Sequence, residues 1–255
     1  MKIHEALTYD DVLLQPQYSE IRSRRDINVG VNLGKNINLE LPIISSPMDT
    51  VTSGRMAAAM ARHGGLGIVH RYNTVEEQLL EVVKAHEINN NNIIIGAAIG
   101  ISGDYLERTR NLISAGIDLI CVDVAHGHHI LMKEALHDLR RLSPNLHIMA
   151  GNVATLEGVN SLADWGADSV RCNIGGGSIC STRVQTGHGL PGLQTIFECS
   201  KTDRDVKIIA DGGIRNSGDI VKALAAGADA VMCGSLLAGT SQTPGDVFEG
   251  PDGVK

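Results

Sequence analysis

Short runs of β-branched and other apolar residues alternate along the chain with segments whose apolar positions recur at helical spacing. Eight runs read as strands: "LPIISS" (41–46), "LGIVHR" (66–71), "IIIGAAI" (93–99), "LICVDVA" (119–125), "HIMAGNV" (147–153), "SVRCNI" (169–174), "KIIADGG" (207–213) and "AVMCGSL" (230–236). Near-continuous apolar character, rather than strict alternation, marks strands covered on both faces. Between them, Met56 and Met60, Leu79 and Val83, Leu106 and Ile113, Met132, Leu136 and Leu139, Val159 and Leu162, and Ile220 and Leu224 follow the 3.6-residue period and predict helices. Ser217 reads as the N-cap of the last of these, and Gly227 as its C-terminal left-handed residue.

The joints repeat as well. "AGID" (115–118), "WGAD" (165–168) and "AGAD" (226–229) each place a glycine where a helix should end and an apolar strand begins shortly after. Strand, helix, strand in regular succession implies parallel crossovers, and eight of them fit a closed (β/α)8 barrel, the TIM barrel, within one domain over 1–255. An open doubly wound sheet is the alternative, but no G-x-G-x-x-G follows the first strand. "NNNN" (89–92) reads as a polar turn, and no linker or low-complexity segment divides the chain.

Composition narrows the partners. A net charge of −7 with scattered lysine and arginine argues against nucleic acid, leaving a small molecule as the expected ligand. Five cysteines (121, 172, 180, 199, 233) contain no C-x-x-C pair and suit a reducing compartment, neither a disulfide framework nor a zinc site. The N-terminal "MKIHEALTYDDVLLQPQ" has no apolar signal core, and no apolar stretch is long enough to span a bilayer, so the expectation is a cytoplasmic protein without a membrane partner.

In a barrel of this kind chemistry gathers at the C-terminal strand ends. There the sequence has "SSPMDT", "DVAHG", "GNVAT", "GGGSICSTR", "DGGIR" and "GSLLAG". Glycines at the last three ends allow backbone N–H groups to converge on an anion, which predicts a phosphate cradle for a nucleotide or sugar phosphate. Cys180 lies in the most glycine-rich of these loops among hydroxyls and near Arg183, surroundings expected to favour an accessible thiolate. Cys121, Cys172 and Cys233 lie inside apolar strands, and Cys199 at a helix end; these read as structural. Asp123 and Asp211 end apolar strands and are expected to face a ligand, Asp211 toward ribose hydroxyls. His126, His128 and His129 match no zinc spacing and read as polar loop residues.

The stretches "LTYDDVLLQP", "SPMDTVT", "VDVAHGH", "IMAGNVAT", "GGGSICSTR" and "IIADGGIRNSGDIVKALAAGADAVMCGSLLAG" together resemble the IMP dehydrogenase and GMP reductase family, over essentially the whole chain. The resemblance implies a barrel in which the loop cysteine attacks purine C2 to form a covalent thioimidate while a nicotinamide cofactor exchanges a hydride. Carried over motif by motif, it implies Cys180 as nucleophile with Thr182 beside it. Ser46, Met48 and Ser178 would contact a purine nucleoside monophosphate, Asp211 its ribose, and Gly212, Gly213, Gly234 and Ser235 its phosphate side. Asp123, Val124, Ala125 and Asn152 would lie along the nicotinamide. Backbone carbonyls of Gly175, Gly177 and Cys180 correspond to a monovalent cation site, usually potassium, and Gly176 stands where the family often has proline or serine.

Thr186 in "STRVQTGHGLP" and the absence of room for a paired CBS-type regulatory domain resemble the reductase, which converts GMP to IMP and ammonia with NADPH. "SSPMDTVT" and "AGADAVMCGSLLAG" resemble the dehydrogenase, which oxidises IMP to XMP with NAD and is the alternative. A second alternative is a catalytically silent, nucleotide-binding remnant or partner of a complete homologue. The resemblance also implies a homotetramer. It further implies a phosphate loop, a mobile catalytic segment and a closing helix past "FEGPDGVK", without which apolar strand and helix surface should be exposed.

Overall fold

The computed structural model describes residues 5–90 and 92–246; "FEGPDGVK" lies outside them. In chain order the elements are β1 (Val31–Gly34), β2 (Ile37–Leu39), β3 (Ile43–Ser45), α1 (Gly54–Arg62), β4 (Leu66–Val69), α2 (Val75–Ile88), β5 (Ile95–Ile99), α3 (Tyr105–Ser114), β6 (Leu119–Asp123) and α4 (Ile130–Leu142). There follow β7 (His147–Val153), α5 (Leu156–Asp164), β8 (Ser169–Cys172), α6 (Thr182–Thr186), α7 (Gly192–Cys199), β9 (Lys207–Asp211), α8 (Ser217–Ala225) and β10 (Ala230–Cys233). Strands β3 to β10 pair in parallel and β10 closes on β3, giving the (β/α)8 barrel.

The period-2 alternation of each strand divides the core in two. Ile120 and Val122, Ile148 and Ala150, Val170 and Cys172, and Ile208 and Ala210 point outward and pack with Met132, Leu136, Leu139, Val159 and Leu162 of the helices. Leu119, Cys121, Met149, Ile209 and Met232 point inward and fill the barrel, which is therefore a packed core. The β1–β2 hairpin seals its lower end with Leu33, Ile37 and Leu39, all buried in the same cluster.

All eight expected strands and all six expected helices form; α6 and α7 are additional. Seven of the strands are shorter than their apolar runs, five of them only at the C-terminal end, because Arg71, Val124 and Ala125, Asn173 and Ile174, Gly212 and Gly213, and Gly234 and Ser235 leave the ladder to line the barrel mouth. The N-cap of α8 is Asn216, not Ser217: its side chain accepts the Asp219 N–H, and Ser217 is the first helical residue.

At the three repeated joints, Gly116, Gly166 and Gly227 have φ of +90°, +112° and +109°, a left-handed turn that glycine tolerates. The aspartate two residues on then staples the preceding strand. Its backbone N–H donates to Ile95, Ile148 or Ile208, and its carboxylate accepts the N–H of the same residue: Asp118 from Ile95 at 2.9 Å, Asp168 from Ile148 at 2.8 Å, Asp229 from Ile208 at 2.8 Å.

Exposure on the β10–β3 side differs from expectation. Val231 and Cys233 are buried and Ile43 is half-buried, so these strand residues are covered, while Val221 of α8 is exposed.

Candidate active site

The inward rows of β6, β8 and β9 change character at their upper ends. Leu119 and Cys121 are followed by Asp123, Ser169 by Arg171, and Ile209 by Asp211. Arg171 is buried and donates to Asp123 Oδ1 at 2.6 Å, to Asp211 Oδ2 from NH2 at 2.7 Å and from Nε at 3.1 Å, and to Cys121 Sγ at 3.4 Å. Burial works against its charge, but the Asp211 and Asp123 carboxylates outweigh it and raise the guanidinium pKa well above the ordinary value. Asn152 Nδ2 adds a bond to Asp211 Oδ2 at 2.7 Å and one to the Asn173 carbonyl at 2.9 Å. Every one of these bonds to Asp211 uses Oδ2, so Oδ1 is the oxygen available to a ligand hydroxyl.

Above this ion-paired floor opens a cleft of about 510 Å³. Every site residue expected from the sequence lines it. Ser46 and Met48 come from the loop after β3, Asp123 from the end of β6 with Val124 and Ala125 just past it, and Asn152 from β7. Gly175, Gly177, Ser178 and Cys180 come from the loop after β8 and Thr182 from the start of α6, Asp211 from the end of β9 with Gly212 and Gly213 just past it, and Gly234 and Ser235 from the loop after β10.

The loop after β3 is held by its own turn: Thr52 Oγ1 donates to the Ser46 carbonyl at 2.6 Å, and the Val51 and Thr52 N–H groups donate to the Met48 carbonyl. The Val124 N–H donates to the Gly151 carbonyl at 3.0 Å and the Val124 carbonyl accepts the Asn152 N–H at 2.9 Å, tying the ends of β6 and β7 together.

Cys180 is the exposed thiol; Cys121, Cys172, Cys199 and Cys233 are buried. Burial pushes the Cys121 and Cys233 thiols up to about 12, so both remain protonated. Cys180 Sγ lies 3.3 Å from Thr182 Oγ1. Arg183 does not serve the thiol as the sequence suggested. Its guanidinium donates to the Leu190 carbonyl at 2.8 Å, and its stem packs over Gly175 and Gly189, so it braces the loop.

Thr186 stands outside the cleft lining. Its hydroxyl donates to the Thr182 carbonyl at 2.8 Å and accepts the His188 N–H at 3.2 Å, closing α6 rather than contacting a ligand. The histidines also keep to the loop: His129 caps α4 by accepting the Leu131 N–H, and the His128 ring lies tilted against Trp165. No group of three or more His, Cys, Asp or Glu side chains able to hold a metal occurs among the described residues.

Sequence reasoning missed four contributors. Arg171 was hidden inside a run read as apolar, although a charged residue at an inward strand position is itself a signal. Arg71 lines the cleft, donates to the Asp123 carbonyl at 3.2 Å and places Nε 3.8 Å from Asp123 Oδ2. Asn173 lies at the base of the cysteine loop. Tyr9, buried against Gly192 and Gly213, backs the β9 loop, while its carbonyl accepts Lys222 Nζ at 2.7 Å.

The family model for the IMP dehydrogenase / GMP reductase domain matches residues 6–253. Similar proteins include inosine-5'-monophosphate dehydrogenases from Cryptosporidium parvum (40% identical; 96% of this chain and 70% of the relative) and Borreliella burgdorferi (37%; 95% and 72%). A third is that of Nitrosopumilus maritimus (32%; 97% and 78%). The last alignment extends over 371 positions, more than the 255 residues of this chain. No helix among the described residues is long and apolar enough to cross a membrane.

Proposed function

This chain belongs to the IMP dehydrogenase / GMP reductase family, and we propose that it oxidises IMP to XMP with NAD through a covalent bond between Cys180 and purine C2. The observation that carries the reading is an exposed thiol lining a cleft whose floor is two carboxylates bridged by one arginine. The named relatives favour the dehydrogenase over the reductase that the stretch around Thr186 resembles, and Thr186 does not itself line the cleft.

In this reading Cys180 loses its proton and its sulfur adds to C2 of the purine. The C2 hydrogen leaves with its electron pair as hydride, and the resulting thioimidate is hydrolysed by water, which supplies the new C2 oxygen and returns the thiol. When bound, the nicotinamide ring of NAD accepts that hydride. Thr182 Oγ1 stands beside the sulfur to exchange a proton during addition and hydrolysis. Asp211 Oδ1 accepts ribose hydroxyls, and the N–H groups around Gly213, Gly234 and Ser235 receive the phosphate. Asp123, Val124, Ala125 and Asn152 form the wall for the cofactor, and a cleft of about 510 Å³ is within the range of small-molecule sites.

A monovalent cation, potassium by resemblance, would take the carbonyls of Gly175, Gly177 and Cys180. The Gly177 carbonyl already accepts the Cys180 N–H at 3.1 Å and keeps a second lone pair for such an ion. The chain acts in this reading as one catalytic barrel over 1–255 without a CBS-type insert, assembled as a homotetramer.

Incubation with IMP and NAD, and separately with GMP and NADPH, while absorbance of the reduced cofactor is followed, tests the proposal. NADH should accumulate in the first mixture, and Cys180→Ala should lower the rate by at least about 10³-fold. Consumption of NADPH with GMP alone would assign the reductase reaction instead. Silence in both, with no nucleotide adduct on Cys180 by intact mass, would leave a binding protein.

A further inference from the structure

We infer that Asn173 is a positioning residue for the cysteine loop, and that Asn173 and Gly176 form one unit in which the amide of the first fills the place a side chain on the second would need. Asn173 is the first residue past β8 and has φ +123°. The other non-glycine residues with positive φ among the described residues, Lys35, Asn36 and Asn90, have φ of 46°, 67° and 52°, near the left-handed helical well. Asn173 lies outside that well, in backbone territory that side chains rarely occupy.

The surroundings enforce this conformation. The Asn173 N–H donates to the Val153 carbonyl at 2.8 Å, and its carbonyl accepts Asn152 Nδ2 at 2.9 Å. The residue is 3% exposed, with Nδ2 3.4 Å from the Gly212 carbonyl and Oδ1 buried without a hydrogen-bond partner among the described residues. Strained backbone and an unpaired buried amide oxygen both oppose stability, so stability does not explain this side chain.

Its neighbours do. A Cβ on Gly176 would collide with Nδ2 of Asn173, and one on Gly192 would lie 3.2 Å from the same atom. A Cβ on Gly212 would press on Gly177 N at 2.9 Å. The amide is therefore wedged beneath the turn in which Gly177 holds the Cys180 N–H. Gly176, where the chain departs from the resemblance, is glycine because Asn173 occupies its side-chain space.

Asn173→Gly, Gly176→Ser and the double variant test this as a cycle. Iodoacetamide alkylation of the ligand-free protein, followed by intact mass, reports Cys180 because the other four cysteines are buried. Each single substitution should change the Cys180 rate by about tenfold, and the double should return to within about threefold of the parent, a coupling expected only of residues in contact. Effects that multiply independently, or an unchanged rate in Asn173→Gly, would overturn the inference. Should Gly176→Ser not fold, as judged by circular dichroism, Gly176→Ala carries the same cycle.

A second readout rests on the proposed function: with IMP and NAD, kcat should fall about tenfold or more in each single variant and recover in the double, with KM for NAD unchanged, as expected for a misplaced nucleophile. Coupled alkylation in a protein that turns over neither substrate pair would remove the functional reading and leave this one standing. Turnover with uncoupled effects in both readouts would do the reverse.

Discussion

The two ends of the barrel use aspartate in opposite ways. At the lower rim Asp118, Asp168 and Asp229 face backbone: each fixes the strand before it by accepting an isoleucine N–H. At the upper rim Asp123 and Asp211 face one another across Arg171, and neither staples a strand in this way. A carboxylate that accepts a backbone N–H serves the fold, even where side-chain cations also meet it, as Arg140 and Lys35 do at Asp168. A carboxylate bonded by side chains alone, as Asp211 is through Oδ2, keeps an oxygen toward the cleft. The same residue type at the same barrel therefore divides by which end of the strand it occupies.

The largest effect that would sharpen this contrast is expected at the upper rim. Asp211→Asn should lower kcat/KM for IMP by about 10³-fold, the scale of two charged hydrogen bonds at about 1.5–3 kcal/mol each, and should also cost some stability in urea, because the buried Arg171 then keeps only Asp123 as its ion-pair partner. An active but unstable variant would break the comparison.

Next comes acid sensitivity at the lower rim. His147 is fully buried beside Ser169 Oγ at 2.9 Å, and burial lowers its pKa from 6.5 to about 4. Between those values the unfolded chain binds the proton and the folded chain does not, so stability falls as pH drops from 6.5 toward 4. The shift corresponds to about 3 kcal/mol. Urea titrations across that window should show His147→Gln losing correspondingly less than the parent.

Asp168→Ala should cost about 2 kcal/mol of stability and leave kcat unchanged at a temperature where the variant is folded, because it frees Ile148 N–H and strips Arg140 and Lys35 of their carboxylate. The smallest effect is expected at Asp118→Asn, within about 0.5 kcal/mol by the same titration. Burial raises the Asp118 pKa, its ionised form gains no cationic partner in an ion pair among the described residues, and asparagine keeps an acceptor for Ile95 N–H. A large loss there would show that the staples depend on charge.

The barrel was legible because its strands are apolar on both faces and its joints repeat a glycine and an aspartate. The hairpin was missed although Val31, Leu33, Ile37 and Leu39 alternate around Gly34, Lys35 and Asn36; two strands of four and three residues give periodicity too little length to register. Residues at strand ends could be assigned to the cleft from their place in the repeat. Arg171 and Asn173 could not, since what each does depends on partners 40 or more residues away in one case and on an unusual backbone angle in the other. Arg183 shows the reverse error: nearness in sequence to Cys180 implied a charge effect that the side chain's direction does not deliver.

With Leu33, Ile37 and Leu39 sealing the barrel from below, the cleft is a cul-de-sac. Whatever enters must leave again on the upper side of the barrel, because the packed interior offers no passage through it.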